Sequence, residues 1–115
     1  DVAGAKAQLQ WAADKSRDES YRIIARVRLA GLLLDEKKYD EALALLSPAK
    51  IAKLAPLVND RRGDVLTAQG KREEAKTAYL DAYKGMDETD PMRQLVQQKL
   101  EALGGAVPEQ APKVG

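Results

Sequence analysis

Two stretches of this chain superpose at an offset of thirty-three residues, and that self-similarity limits the folds open to it. Residues 23–50 align with residues 56–83. Ala30 meets Gly63, Leu33 meets Leu66, Lys38 meets Lys71, Ala42 meets Ala75, Leu46 meets Tyr79 and Ala49 meets Ala82. The acidic pairs Asp40-Glu41 and Glu73-Glu74 also coincide. Repeats of this length mark units of supersecondary structure that bury their apolar faces by stacking. The periodicity inside each unit is helical: Ile23, Ile24, Val27, Ala30, Leu33 and Leu34 recur at spacings of three and four. No alternating β-branched run and no Asn-Gly or Asp-Gly hairpin signal is present.

Six helices follow from the start and stop signals. The first spans 2–14. The second spans 18–36, behind a capping box of Ser16 and Glu19. It is apolar around so much of its circumference that it should lie between two neighbours. Asp40 caps a third helix, 40–46, which Ser47-Pro48 ends. Residues 49–55 read as a loop with a possible helical turn. Pro56 opens a fourth helix reaching Ala68. Gly70 supplies a left-handed turn into a fifth, 72–84, which Gly85 stops. Asp90-Pro91 starts the sixth, whose stripe of Met92, Leu95, Val96, Leu100 and Leu103 leaves its other side to water. Residues 1–105 form one domain, and 106–115, with two prolines and few large apolar groups, should be a disordered tail.

The pattern is that of a tetratricopeptide-like helical hairpin. A small residue on the first helix (Ala30, Gly63) and one early on the second (Ala42, Ala75) let the pair cross closely. A larger residue a turn later (Leu46, Tyr79) fills the space beside them. The expected fold is all-α, a right-handed stack of antiparallel hairpins, with the first helix as half of a preceding unit and the sixth as a cap.

Composition excludes several functions. The chain has neither Cys nor His, so it lacks the commonest general base and every thiolate nucleophile or metal ligand. Absence of Cys fits an oxidising or a reducing compartment. Nineteen basic residues against 18 acidic leave a net charge of +1, which argues against nucleic-acid or anionic-membrane binding as the main role. Arg22, Arg26, Arg28, Arg61 and Arg62 cluster, but acids interleave and aromatic partners are lacking. Ser16, Ser20 and Ser47 fall at helix ends, where capping accounts for them. Asp60 and Asp64 lie four apart, and two carboxylates do not make a magnesium or calcium site. Gly63 to Lys71 lacks the strand and spacing of a phosphate loop. No catalytic residue, cofactor or metal is expected.

What remains is a protein-binding surface. The first helix of each hairpin lines the concave side, which places Ile24, Val27, Gly31 and Leu34 there in one unit and Leu57, Asp60, Asp64 and Thr67 in the next. The apolar group could receive an amphipathic helix or an extended peptide, or could be ordinary core covered by the N-terminal helix. Self-association is a further use for such a face. Tetratricopeptide domains that grip a C-terminal carboxylate use Lys and Asn where this chain has Val27 and Gly31, which disfavours that mode.

The phrase Leu29-Ala30-Gly31-Leu32-Leu33-Leu34-Asp35-Glu36-Lys37-Lys38-Tyr39-Asp40-Glu41-Ala42-Leu43 resembles the YfgM family. So do Arg61-Arg62-Gly63-Asp64-Val65-Leu66 with Gln69-Gly70-Lys71, and the ending from Asp90-Pro91 to Leu103. The likeness covers about residues 1 to 103. It implies a tetratricopeptide-like periplasmic domain of a bacterial inner-membrane protein with one N-terminal span. It also implies an ancillary subunit of the SecYEG translocon that associates with the periplasmic chaperone PpiD and helps pass exported chains to folding factors. The resemblance carries no catalytic residues. The chain begins at Asp1 without Met or a charged-then-apolar leader, so it is expected to be a fragment whose anchor lies elsewhere. The alternative is a tetratricopeptide-like scaffold or dimerisation module unrelated to secretion.

Overall fold

The structure is a computed structural model that describes residues 1–108. Six α-helices run in order: α1 Val2–Lys15, α2 Glu19–Asp35, α3 Tyr39–Ala44, α4 Ala55–Ala68, α5 Arg72–Gly85 and α6 Pro91–Ala102. A 3-10 turn, Ala52–Leu54, precedes α4, and there is no strand among the described residues. No helix among these residues is long and apolar enough to cross a membrane. The tail expected over 106–115 lies, from 109 on, outside the described residues; before that, Val107 packs against the core.

Side-chain carboxylates open three of the helices. Asp1 accepts from the Ala3 amide, Asp18 from the Tyr21 amide and Asp90 from the Met92 amide. The capping box on Ser16 does not form. Ser16 instead ends α1, accepts the Asp18 amide on its hydroxyl and offers its carbonyl to Arg22 Nη1 at 2.6 Å. An ionised carboxylate outcompetes a hydroxyl at the positive end of the helix dipole. Nor does Asp40 cap α3. The helix begins one residue earlier, and Asp40 and Glu41 sit in its first turn, where their charge suits the dipole. Its α-helical bonding stops at Ala44, two residues short of expectation, because Leu45 and Leu46 donate to carbonyls three residues back in a tightened last turn ahead of Pro48. Gly85 is the last residue of α5, not its stop. A Cβ there would lie 2.8 Å from Pro56 Cγ, so glycine lets the end of α5 meet the start of α4.

The two hairpins, α2–α3 and α4–α5, turn identically. Lys37 and Gly70 have left-handed backbone, the Lys38 amide donates to Leu33 and the Lys71 amide to Leu66. This is the Schellman closure, which satisfies carbonyls at the helix end. The same closure ends α6, with Gly104 left-handed and the Gly105 amide donating to Leu100. It stands one residue further on than the repeat requires. α6 is therefore the first helix of a third unit.

One buried cluster joins α2, α3 and α4 through Leu29, Ala30, Leu33, Ala42, Leu46 and Val65. A second joins α4, α5 and α6 through Leu66, Ala75, Tyr79, Ala82, Val96 and Leu100. Ala12 and Ala13 of α1 meet Ala25 on the other side of α2, so α2 is sandwiched as its wide apolar stripe requires. Ala30, Ala42 and Ala75 are wholly buried, and the ring of Tyr79 lies where a side chain on Gly63 would be. The small residues sit at the crossings.

Candidate functional site: the concave face

The apolar half of the expected groove is partly closed. Val27 is only 3% exposed and shares a buried cluster with Val58 and Val65 of α4, so it is a core residue and not a groove residue. The covering comes chiefly from α4, with Leu9 of α1 packed on the same cluster. Ile24 and Leu34 are half-buried. Gly31 is also half-buried, and the guanidinium of Arg61 lies 3.2 Å from where its Cβ would be. Leu57 and Thr67 are exposed, and the Thr67 hydroxyl donates back to the Gly63 carbonyl at 2.7 Å.

The polar half is a compact ion cluster. Lys99 of α6 places its ammonium 3.1 Å from Asp60 Oδ1 and 3.1 Å from Asp64 Oδ1. Tyr79 of α5 donates its hydroxyl to the same Asp64 oxygen at 2.6 Å. Arg61 Nη1 approaches Asp64 Oδ2 at 3.5 Å. The five groups come from three helices; Tyr79, at 3% exposure, and Asp60, at 9%, are the buried ones.

The repeat explains why charges face each other there. Asp60 and Asp64 stand where the preceding unit has Val27 and Gly31. Lys99 stands where α4 has Val65, once the extra residue before α6 is allowed for. Where α2 meets α4, valines at these places join one apolar cluster. Where α4 meets α6, an ammonium and two carboxylates replace them.

The electrostatics follow from burial. Loss of water pushes the Asp60 carboxyl up, and the neighbouring Asp64 charge adds to it, with Lys99 opposing both. Burial works against the charge on Lys99, but the two carboxylates outweigh it and hold its pKa above the usual lysine range. Burial, then the bond to Asp64, pushes Tyr79 well above the ordinary phenol. At neutral pH Lys99 is a cation and Tyr79 a neutral donor, so neither is poised as a base or nucleophile. Among the described residues, no group of three or more acidic, His or Cys side chains is placed to hold a metal ion. The ammonium of Lys99 already stands where a cation would sit between Asp60 and Asp64.

Sequence reasoning placed Asp60 and Asp64 together but missed Lys99, Tyr79 and Arg61. The available signal was a lysine at a repeat position that is valine one unit earlier. The arginine cluster is not one patch: Arg22 bonds Ser16, Arg62 donates to the Leu46 carbonyl at 3.2 Å, and Arg61 turns to Asp64.

Comparison with known proteins agrees with this architecture. A family model described as a tetratricopeptide repeat-like domain matches residues 1–105. The chain is 38% identical over 99 residues to a Neisseria gonorrhoeae protein named ancillary SecYEG translocon subunit. It is 31% identical over 99 residues to the Escherichia coli protein of the same name. Each alignment covers 86% of this chain but 47% and 48% of the relative, so the chain spans about half the length of the curated relatives it matches. No solved structure matches it. With the family match running across both hairpins and α6, the chain belongs to the tetratricopeptide repeat-like domain family and is homologous to ancillary SecYEG translocon subunits.

Proposed function

We propose that this chain is the protein-binding domain of an ancillary SecYEG translocon subunit and does no chemistry of its own. The observation that carries the proposal is the likeness to two such subunits over 86% of the chain, coinciding with a stack of helical hairpins. The concave face supplies the contact surface, with Ile24, Gly31 and Leu34 on one side of the Asp60–Asp64–Lys99 cluster and Leu57 beside it. Val27 underlies this surface as packing. The domain works in the periplasm, tethered to the inner membrane by a segment outside this chain, and passes exported chains to a PpiD-like chaperone. Clamped, protonated Lys99 and Tyr79 support a recognition role over a catalytic one.

Site-specific photocrosslinking in the full-length protein, in membranes containing SecYEG, tests the reading. A probe at Leu34 or Leu57 should capture a translocon subunit or the chaperone, and one at exposed Thr77 on α5 should not. Equal capture from all three positions, or none from any, would defeat the concave-face assignment.

A further inference from the structure

An apolar cleft of about 280 Å³ opens between the start of α4 and the start of α6. Pro56, Leu57, Met86 and Met92 form its apolar lining. Leu57 is 38% exposed and Met92 43%, and Leu95, one turn along α6 from Met92, is 41% exposed. Small-molecule sites usually enclose roughly 300–1,000 Å³. This cleft falls below that range and suits one or two side chains of a polypeptide. Its methionines can reshape around different apolar groups.

Its rim is acidic. Asp87 and Asp90 border the cleft, and neither is in an ion pair among the described residues. Exposed Glu88 lies in the same turn. Asp60 borders the cleft too, but Lys99 takes up its charge. Lys53 is the one base in the lining. An apolar floor beside unneutralised carboxylates favours a ligand with a base next to a large apolar side chain.

We infer that this cleft receives an extended peptide segment whose large apolar side chain enters between Leu57 and Met92 while an adjacent Lys or Arg meets Asp87 and Asp90. The inference deepens the protein-binding role proposed above and rests on it. Its test uses this chain alone, so a failure here leaves translocon crosslinks from Leu34 free to succeed.

The probe is a fluorescein-labelled peptide, Gly-Ser-Lys-Leu-Lys-Leu-Lys-Gly-Ser, followed by fluorescence anisotropy. One control peptide replaces Leu by Ser and another replaces Lys by Glu. The parent peptide should bind, and each control should bind at least about tenfold more weakly. L57S/M92S should weaken the parent peptide by a similar factor. D87N/D90N should weaken it several-fold and flatten its salt dependence, since Asn keeps the cap of α6 while removing the charge. Circular dichroism and urea midpoints confirm that both variants stay folded. The inference is overturned if the parent peptide does not bind, or if L57S/M92S binds it as well as the parent chain does. It is also overturned if sedimentation shows a dimer that L57S/M92S abolishes, which would assign the cleft to a second copy.

Discussion

Lys37 and Gly70 occupy the same place in successive hairpins and hold the same left-handed backbone, with φ of 61° and 76°. A residue with a Cβ is strained there by roughly 1–2 kcal/mol, and glycine is not. Nothing lies within 4 Å of where a Cβ on Gly70 would be, so the penalty at this turn is conformational and not steric. Lys37→Gly should stabilise the chain by about 0.5–1 kcal/mol, the gain being reduced by the greater freedom of glycine when unfolded. Gly70→Ala should destabilise it by about 1 kcal/mol. Urea unfolding measures both, and a Lys37→Gly variant less stable than the parent would refute the account.

Gly63 and Tyr79 are matched in size as Ala30 and Leu46 are in the preceding hairpin. The Tyr79 ring fills the volume a side chain on Gly63 would need, and its hydroxyl is fixed on Asp64. Gly63→Ala should therefore cost about 2–3 kcal/mol, as overpacking of a rigid crossing does. Tyr79→Leu reproduces the first hairpin's pairing, so the double variant Gly63→Ala/Tyr79→Leu should recover much of that loss. A double-mutant cycle from urea unfolding reads the coupling. Strictly additive effects would mean that the ring yields and that glycine is there for another reason.

The fold could be read from the sequence because its decisive residues are small ones at helix crossings. Ala30, Ala42, Gly63 and Ala75 recur at a fixed interval and need no knowledge of partners distant in the chain. The concave face was only half legible. Helical register gives Val27, Asp60 and Asp64 the same expected face, but Val27 is core under α4 and Asp60 is buried against Lys99 of α6, and the approach of those later helices is not written in the register. Lys99 escaped notice because α6 follows its neighbour with one extra residue. That shift hides its equivalence to Val65, and a lysine in a helix with one apolar stripe reads as solvated. Ser16 was misread as a cap because a capping box and an aspartate two residues later are rival signals, and local pattern does not rank them.

The cluster around Asp60 makes the contributions of its members unequal. Lys99 neutralises two carboxylates at once, whereas Asp60 is the carboxylate whose charge burial disfavours. Lys99→Met should destabilise the chain by about 2–3 kcal/mol at neutral pH, less than full burial would give because the group is partly solvated. Asp60→Asn should cost much less, since Asp64 still faces the ammonium. The deficit of Lys99→Met should shrink at low pH, where protonation relieves the stranded Asp60 carboxylate, whose pKa burial already raises. Thermal or urea unfolding across pH reports this. An Asp60→Asn variant as unstable as Lys99→Met would show that the first carboxylate, not the second, anchors the ammonium.

Alkaline pH should loosen the same cluster. Tyr79 and Lys99 both have folded pKa values above their usual values of about 10 and 10.4. A group whose pKa is raised by folding binds its proton more tightly in the native state. Its contribution is complete below the unfolded pKa and disappears as pH climbs through the folded one. Stability should therefore be flat with respect to these two groups up to about pH 10 and fall beyond it, as the unfolded chain releases protons that the native cluster retains. Tyr79→Phe should make that fall shallower by removing one of the two titrations, and Lys99→Met should remove the other. Urea midpoints measured between neutrality and about pH 12 test the slope. An unchanged alkaline slope in the Tyr79→Phe variant would show that the phenol, though buried, titrates alike in the folded and unfolded chains and that its bond to Asp64 does not hold the proton.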